Sequence, residues 1–282
     1  MERIVKFDEV VEAAVALCGK AACFLPEDVK KSLLAAAEKE TGELGKEFFR
    51  QYAENFRIAE ADKLPLCQDT GFAVWFVEYG TDVRLDKGDI YAALDEGTRR
   101  GYTRNYLRKS IVSDPLFDRR NTRDNTPCIV HLKLVPGDKI GLTLAPKGGG
   151  SENMSALKML KPSDGRAGVV KFVVDTVVSA GGNPCPPTVV GVGIGGTMEK
   201  AAILAKIALL RKVGAPNEDP RYAELEAEIL EKINASGVGP QGLGGDVTSL
   251  AVHILFHPCH LASLPVAVNI NCHAARHAQI VL

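Results

Sequence analysis

Asn183-Pro184-Cys185-Pro186-Pro187-Thr188-Val189-Val190-Gly191-Val192-Gly193-Ile194-Gly195-Gly196 can be read as part of two different folds. Thr188–Gly191 has the look of a strand, and the residues near Thr197–Lys212 have the look of a helix. The glycines between them fit Gly-x-Gly-x-x-Gly, the dinucleotide-binding fingerprint. An acidic pair, Glu218 and Asp219, follows roughly twenty residues on, where that fingerprint wants its acid. It also wants a second parallel strand ending at that acid. Here the helix runs into Val213-Gly214-Ala215-Pro216-Asn217, which reads as loop. A close-packed glycine turn, or an anion site at a helix N-terminus, accounts for the glycines better.

Outward from this stretch the pattern is mixed. Val10, Val11, Ala14 and Leu17 form a helical stripe. Pro26 precedes a second helix with Glu27 and Asp28 in its first turn, which suits the helix dipole. Phe48, Phe49, Tyr52 and Phe56 mark a third. Phe72–Tyr79 reads as a buried strand and Gly88–Arg100 as a helix. Cys128–Val135 and Lys139–Ala145 read as strands joined at Pro136-Gly137-Asp138. Val169–Ser179 is a helix that Gly181 terminates, and Pro220–Asn234 another. Gly237–Asp246 is irregular, and His253–Phe256 and Pro265–Ile270 are short strands. Strands and helices do not alternate strictly, and no repeat or low-complexity linker appears. The expectation is one mixed α/β (α+β) domain over residues 1–282, helical over about residues 1–62.

The chain has 282 residues, 46% hydrophobic and 24% charged, with a net charge of -1. That fits a soluble globular protein and gives no general attraction to nucleic acid or anionic membranes. The one basic stretch, Arg99, Arg100, Arg104, Arg108 and Lys109, reads either as a solvated helix face or as a site for a small anion. The first residues carry charges of both signs and no apolar core of a signal peptide. No apolar run reaches the roughly 18 residues that a membrane span needs. Seven cysteines, an odd number with no export signal, point to a reducing, cytoplasmic setting.

Several groupings could carry chemistry. His253, His257, Cys259 and His260 could bind zinc, but Pro258 interrupts a continuous ligand face. Lys147-Gly148-Gly149-Gly150-Ser151 is not a P-loop, since the lysine precedes the glycines, yet its small residues can aim N–H groups at a carboxylate. Cys18, Cys23 and Cys128 sit within helices or strands and read as buried thiols. Cys67, Cys185 and Cys272 sit in or beside rigid loops at element ends. Cys259 stays undecided on this reading, and spacing alone establishes no metal site.

Leu66-Cys67-Gln68-Asp69-Thr70-Gly71, Lys147-Gly148-Gly149-Gly150-Ser151, Cys185-Pro186-Pro187 and Leu264-Pro265-Val266 leading to Asn271-Cys272 together resemble the N-terminal part of class I fumarases. They equally resemble the α subunits of two-subunit fumarases and tartrate dehydratases. The match runs from about residue 5 to the C-terminus. The resemblance implies the class I fumarase N-terminal-type fold and a four-iron four-sulfur cluster. Its three cysteine ligands would be Cys67, Cys185 and Cys272, leaving one iron open to substrate. It implies an acid role for Asp69 and substrate contacts from Gln68, Arg108, Gly150 and His260. Arg108 stands in Leu107-Arg108-Lys109-Ser110, with a lysine where the family commonly has an aromatic residue.

By that resemblance the chain dehydrates (S)-malate to fumarate reversibly, with L-tartrate as the alternative substrate. Single-chain members carry a second domain with the base and further cationic groups. The sequence ends at Leu282, which implies a separate β-type subunit and an α2β2 assembly. Two other classes compete: a non-enzymatic iron–sulfur or zinc module, and an NAD-binding domain resting on Gly191–Gly196. Asp69 separates the first from an enzyme, because only catalysis needs an acid beside the cluster.

Overall fold

A computed structural model describes residues 3–282. In chain order the elements are β1 (Arg3–Val5), α1 (Phe7–Cys23), α2 (Glu27–Lys39), α3 (Glu43–Asp62), β2 (Phe72–Gly80), β3 (Val83–Leu85), α4 (Ile90–Arg104), β4 (Ile129–Val135) and β5 (Ile140–Lys147). There follow α5 (Gly149–Glu152), β6 (Ala156–Leu160), α6 (Gly165–Ala180), β7 (Thr188–Gly195), α7 (Met198–Ala208), α8 (Pro220–Asn234), β8 (Ser249–His257), β9 (Leu264–Asn271) and β10 (Ala278–Val281). The architecture is mixed α/β, as the patterning implies, and it packs as two compact units.

The first unit comprises Met1–Pro26, Phe56–Gly149 and Arg276–Leu282. Its main sheet has the order β10-β5-β2-β4. Strands β4 and β5 are joined at Pro136–Asp138, but they are not partners. Strand β2 lies between them, parallel to β4 and antiparallel to β5. Apolar residues of α1 and α4 pack with those of β2 and β5 into one core around Trp75, Leu94 and Tyr102. The Trp75 indole N–H, fully buried, donates to Thr98 Oγ1 at 3.1 Å. Helix α4 starts at Ile90 because the Asp89 side chain caps it, accepting the Ala92 N–H at 2.9 Å.

The second unit comprises Glu27–Asn55 and Gly150–Ala275. Its sheet has the order β6-β9-β7-β8, with β7 parallel to β8 and antiparallel to β9. Every residue of β7 is buried. Val190, Val192 and Ile194 face a core shared with α6 and α8. Gly191 and Gly193 face the other way, toward α7. A Cβ added at Gly193 would lie 2.0 Å from the Ala201 carbonyl oxygen, and one at Gly191 would lie 2.1 Å from that of Ala205.

This corrects the reading of the glycines as a turn. The strand runs on to Gly195, and alternate glycines let a helix backbone lie directly on it. Asp219, the apparent ribose acid, is the N-cap of α8 and accepts the Arg221 N–H. Strands β1, β3, β6 and β10 were not evident in the sequence. They are short, and β6 and β10 are exposed along much of their length, so they lack clear apolar alternation. Among the described residues no helix is long and apolar enough to cross a membrane.

Candidate functional site

In the first unit, Pro65–Gly71 links α3 to β2 and carries Cys67, Gln68 and Asp69. The loop starts from an anchored residue: Leu66 is buried, and its N–H donates to the Ala22 carbonyl at 2.9 Å. The Asp69 N–H points at Cys67 Sγ, 3.4 Å away, and that thiol in turn reaches Gln68 Oε1 at 3.4 Å. The Asp69 carboxylate closes the turn. Oδ1 accepts the Gly71 N–H at 3.0 Å and Oδ2 accepts the Gly149 N–H at 2.7 Å. Gly71 has φ 82°, and a side chain there would strike the Lys147 backbone at 2.8 Å, so glycine is required twice over.

Three residues that the sequence reading missed fix this loop. The buried Tyr102 hydroxyl lies 2.9 Å from the Gly71 carbonyl and 3.1 Å from that of Thr70; desolvation pushes its pKa well up, so it stays a donor. The buried Asn125 accepts the Ser110 N–H at 2.8 Å and donates to the Gly71 carbonyl at 3.3 Å. Arg276, also buried, donates from Nη2 to the Asp69 carbonyl. Its Nε and Nη1 have no hydrogen-bond partner among the described residues. Nothing in the local sequence marked these three. They lie 31 to 207 positions from the loop residues they touch.

Asn125 and Thr70 also draw in the segment carrying Arg108, since the Thr70 hydroxyl donates to the Arg108 carbonyl at 3.0 Å. The Arg108 side chain is exposed. Arg99, Arg100 and Arg104 are the ion-paired face of α4. Arg99 and Arg100 both pair with Glu96, and Arg99 also pairs with Asp124 at 3.0 Å. Arg104 pairs with Glu12 at 2.8 Å.

In the second unit, Cys185 and Cys272 come together around Tyr52. The backbone N–H of His273 and its Nδ1 lie 3.2 and 3.1 Å from the Cys185 carbonyl. The His273 ring stacks on Tyr52, centroids 4.1 Å apart and planes 20° apart. Burial pushes the Tyr52 hydroxyl well above its ordinary pKa, against a hydrogen bond from Gln241, and both Cys185 and Cys272 stand close enough to raise it further. Gly150 belongs to this group too: a Cβ on it would lie 3.2 Å from the Asn183 carbonyl, just before Cys185.

His260 does not join them. It lies in the same unit, in a cavity of about 670 Å³ lined also by Tyr222, Phe256 and Cys259 and by neither of the other two cysteines. The zinc grouping does not converge either. His253 is buried in β8 with Nδ1 3.2 Å from the Ala208 carbonyl, and Cys259 Sγ donates to the Ser263 carbonyl at 3.2 Å.

All seven cysteines are thiols, and they divide by environment. Burial pushes Cys18 up to about 12, and burial together with the neighbouring Asp95 raises Cys128. Cys67, Cys128 and Cys272 are partly exposed, and Cys185 and Cys259 are exposed.

Against known proteins, residues 11–281 match the family model described as fumarate hydratase (fumerase). The chain belongs to the fumarate hydratase family, a family of hydro-lyases. Within it, the chain is 44% identical over 274 residues to the putative L(+)-tartrate dehydratase subunit alpha of Methanocaldococcus jannaschii, covering 96% of each chain. It is 34% identical over 262 residues to the L(+)-tartrate dehydratase subunit alpha of Escherichia coli, covering 92% of this chain and 86% of that one. Family membership agrees with the resemblance carried by the four sequence motifs, which all lie inside the matched span.

Proposed function

We propose that the chain is the α subunit of an iron–sulfur hydro-lyase that dehydrates L(+)-tartrate. The observation that carries this is the Asp69 carboxylate, pinned at both oxygens by backbone N–H groups on the same loop as the Cys67 thiol. The names of the relatives favour tartrate over the (S)-malate that the sequence motifs put first. Malate remains the second reading, because the family model itself is described as fumarate hydratase.

The donor chemistry suits a cluster. Cys67, Cys185 and Cys272 offer soft sulfur ligands on loops, outside the buried cores that hold Cys18 and Cys23. Among the described residues no three His, Cys, Asp or Glu side chains converge on a single ion. Thiolates of a four-iron four-sulfur cluster each bind a different iron, so they need not converge in that way. When bound, the cluster supplies a Lewis-acidic iron with an open position for a substrate hydroxyl and carboxylate.

The chain's own residues then divide the remaining work. Loss of hydroxide from C2 or C3 of tartrate needs a proton at the departing oxygen; Asp69 in its carboxylic-acid form supplies it and is left as the carboxylate that the two N–H groups hold. Because both its oxygens are anchored before substrate arrives, little reorganisation is left for the reaction. The exposed Arg108 guanidinium pairs with a substrate carboxylate, and Gln68 and the Gly150 N–H add hydrogen bonds to it. The carbon-bound proton leaves to a base on a β-type partner subunit in an α2β2 assembly. Tartrate gives the enol of an oxo diacid, and malate would give fumarate.

The test is anaerobic co-production with the partner subunit, iron and sulfide analysis, and assays with L(+)-tartrate and (S)-malate. Faster turnover of tartrate supports the reading, and faster turnover of malate restores the second one. A cluster-loaded complex that dehydrates neither would make the chain a binding module.

A further inference from the structure

Cys185 has φ 54°, in the left-handed region where a side chain is strained and glycine is the ordinary residue. Such a residue persists only where its surroundings over-determine it. Here two successive carbonyls do so. That of Cys185 faces the His273 N–H and Nδ1, at 3.2 and 3.1 Å. That of Pro186 accepts the Tyr52 hydroxyl at 3.1 Å and the Gln241 N–H at 2.9 Å. The Cys185 N–H donates to the Gly182 carbonyl at 3.0 Å.

The donors are themselves linked. Gln241 Nε2 donates to the Tyr52 hydroxyl at 2.7 Å, and the Tyr52 ring lies on the His273 ring. A carbonyl opposite His273 Nδ1 requires a proton on that nitrogen, which fixes the ring's orientation. Gln241 is also left-handed, with φ 56°. Its loop is stapled from elsewhere in the unit, where the buried Glu40 accepts the N–H groups of Asp246 and Val247 at 2.9 and 3.2 Å. Two strained residues thus face each other through one tyrosine.

We propose that Tyr52, Gln241 and His273 are a positioning set for Cys185: they lock its backbone in the left-handed conformation and so aim its thiol. This rests on reading Cys185 as a cluster ligand. The set adds no ligand and touches no substrate. It acts through the backbone on either side of the Cys185–Pro186 bond.

Two variants of the full chain, assembled with its partner and cluster, test this. Tyr52→Phe keeps the ring on His273 and deletes the hydroxyl. Gln241→Gly removes the amide donor and relieves the strain at position 241. Iron release to a chelator under anaerobic conditions should quicken about fivefold in each. Gln241→Gly should at the same time melt no lower than the unaltered protein. Faster iron loss from a fold that is equally or more stable is what a purely structural role does not give. Anaerobic alkylation of the cluster-free chain, read by peptide mass spectrometry, should change at Cys185 and not at Cys67.

Iron release and Cys185 alkylation at the unaltered rate in both variants would overturn the positioning set, as would iron loss that simply follows the melting temperature. Cys185→Ser is the separate control. A Cys185→Ser chain that still holds its full iron and sulfide would defeat the cluster reading itself.

Discussion

The loop that presents Cys67 and the loop that presents Cys185 solve the same problem differently. In the first, the bonds around the Cys67 thiol are local, and Gly149, Tyr102, Asn125 and Arg276 brace the loop from farther along the chain. Asp69 accepts N–H groups from Gly71 and Gly149, and its own N–H faces the Cys67 sulfur. In the second, almost nothing is local. The carbonyls of Cys185 and Pro186 are held by groups 88 and 134 positions away in the chain. A short motif can encode the local bonds of the first loop, from Cys67 to Gly71. The second exists only once α3, the Gly237–Asp246 segment and the end of β9 have packed. The first loop should therefore be sensitive to changes inside it, and the second to changes far from it.

The largest effect should come from the first loop. Asp69→Asn should leave iron and sulfide content intact and lower kcat by about 10²- to 10⁴-fold, the usual worth of a positioned proton donor. Near-normal turnover in that variant would remove Asp69 from the chemistry. In the second region the corresponding weak point is remote. Glu40→Ala deprives the Gly42, Asp246 and Val247 N–H groups of their acceptor. Unfolding free energy from urea titration should fall by about 2–3 kcal/mol. A smaller loss would mean that water replaces the carboxylate.

Arg276 is the one distant support of the first loop whose removal should separate stability from activity. Arg276→Met deletes a buried guanidinium with two nitrogens that lack a partner among the described residues, so thermal stability should hold or rise. Release of the Asp69 carbonyl should nonetheless slow turnover about tenfold. Parallel losses of stability and rate would make Arg276 an ordinary structural residue.

The smallest effect concerns pH. Burial, helped by Arg211, holds the His253 imidazole below its ordinary 6.5. As pH falls through that value the unfolded chain gains a proton first. The second unit then loses stability downward until the folded imidazole also protonates. Protection of the β8 amides, measured against their intrinsic exchange rates, should fall between neutral and mildly acidic pH, and His253→Leu should flatten that dependence. Strand β2, in the other unit, serves as the comparison and should change less.

Much of the fold was legible because amphipathic period and breakers agree with the final packing. Val10, Val11, Ala14 and Leu17 are all buried on α1, and Gly181 does end α6. The pairing of strands was not legible. Pro136-Gly137-Asp138 joins β4 to β5, but β2 takes the place between them, a long-range choice that no turn residue encodes. The glycines of β7 misled because an alternating small-residue strand and a phosphate turn share one pattern, and only the position of α7 separates them. At the candidate site the Cys67–Asp69 loop and the Gly148–Gly150 segment were legible as motifs. Tyr52, Gln241, Tyr102, Asn125 and Arg276 were not, since each acts by a hydrogen bond to a backbone group far along the chain.

The bare face of β7 has a consequence for anyone redesigning this scaffold. What opposes Gly191 and Gly193 is the carbonyl oxygens of α7, at 2.1 and 2.0 Å from an imagined Cβ, and no rotamer change can move a carbonyl aside. The helix and strand are mated main chain to main chain, like two machined surfaces with no gasket. Val190, Val192 and Ile194, on the opposite face, meet side chains that can repack around them. A single eight-residue strand therefore carries one side open to reshaping and one side closed to even a methyl group.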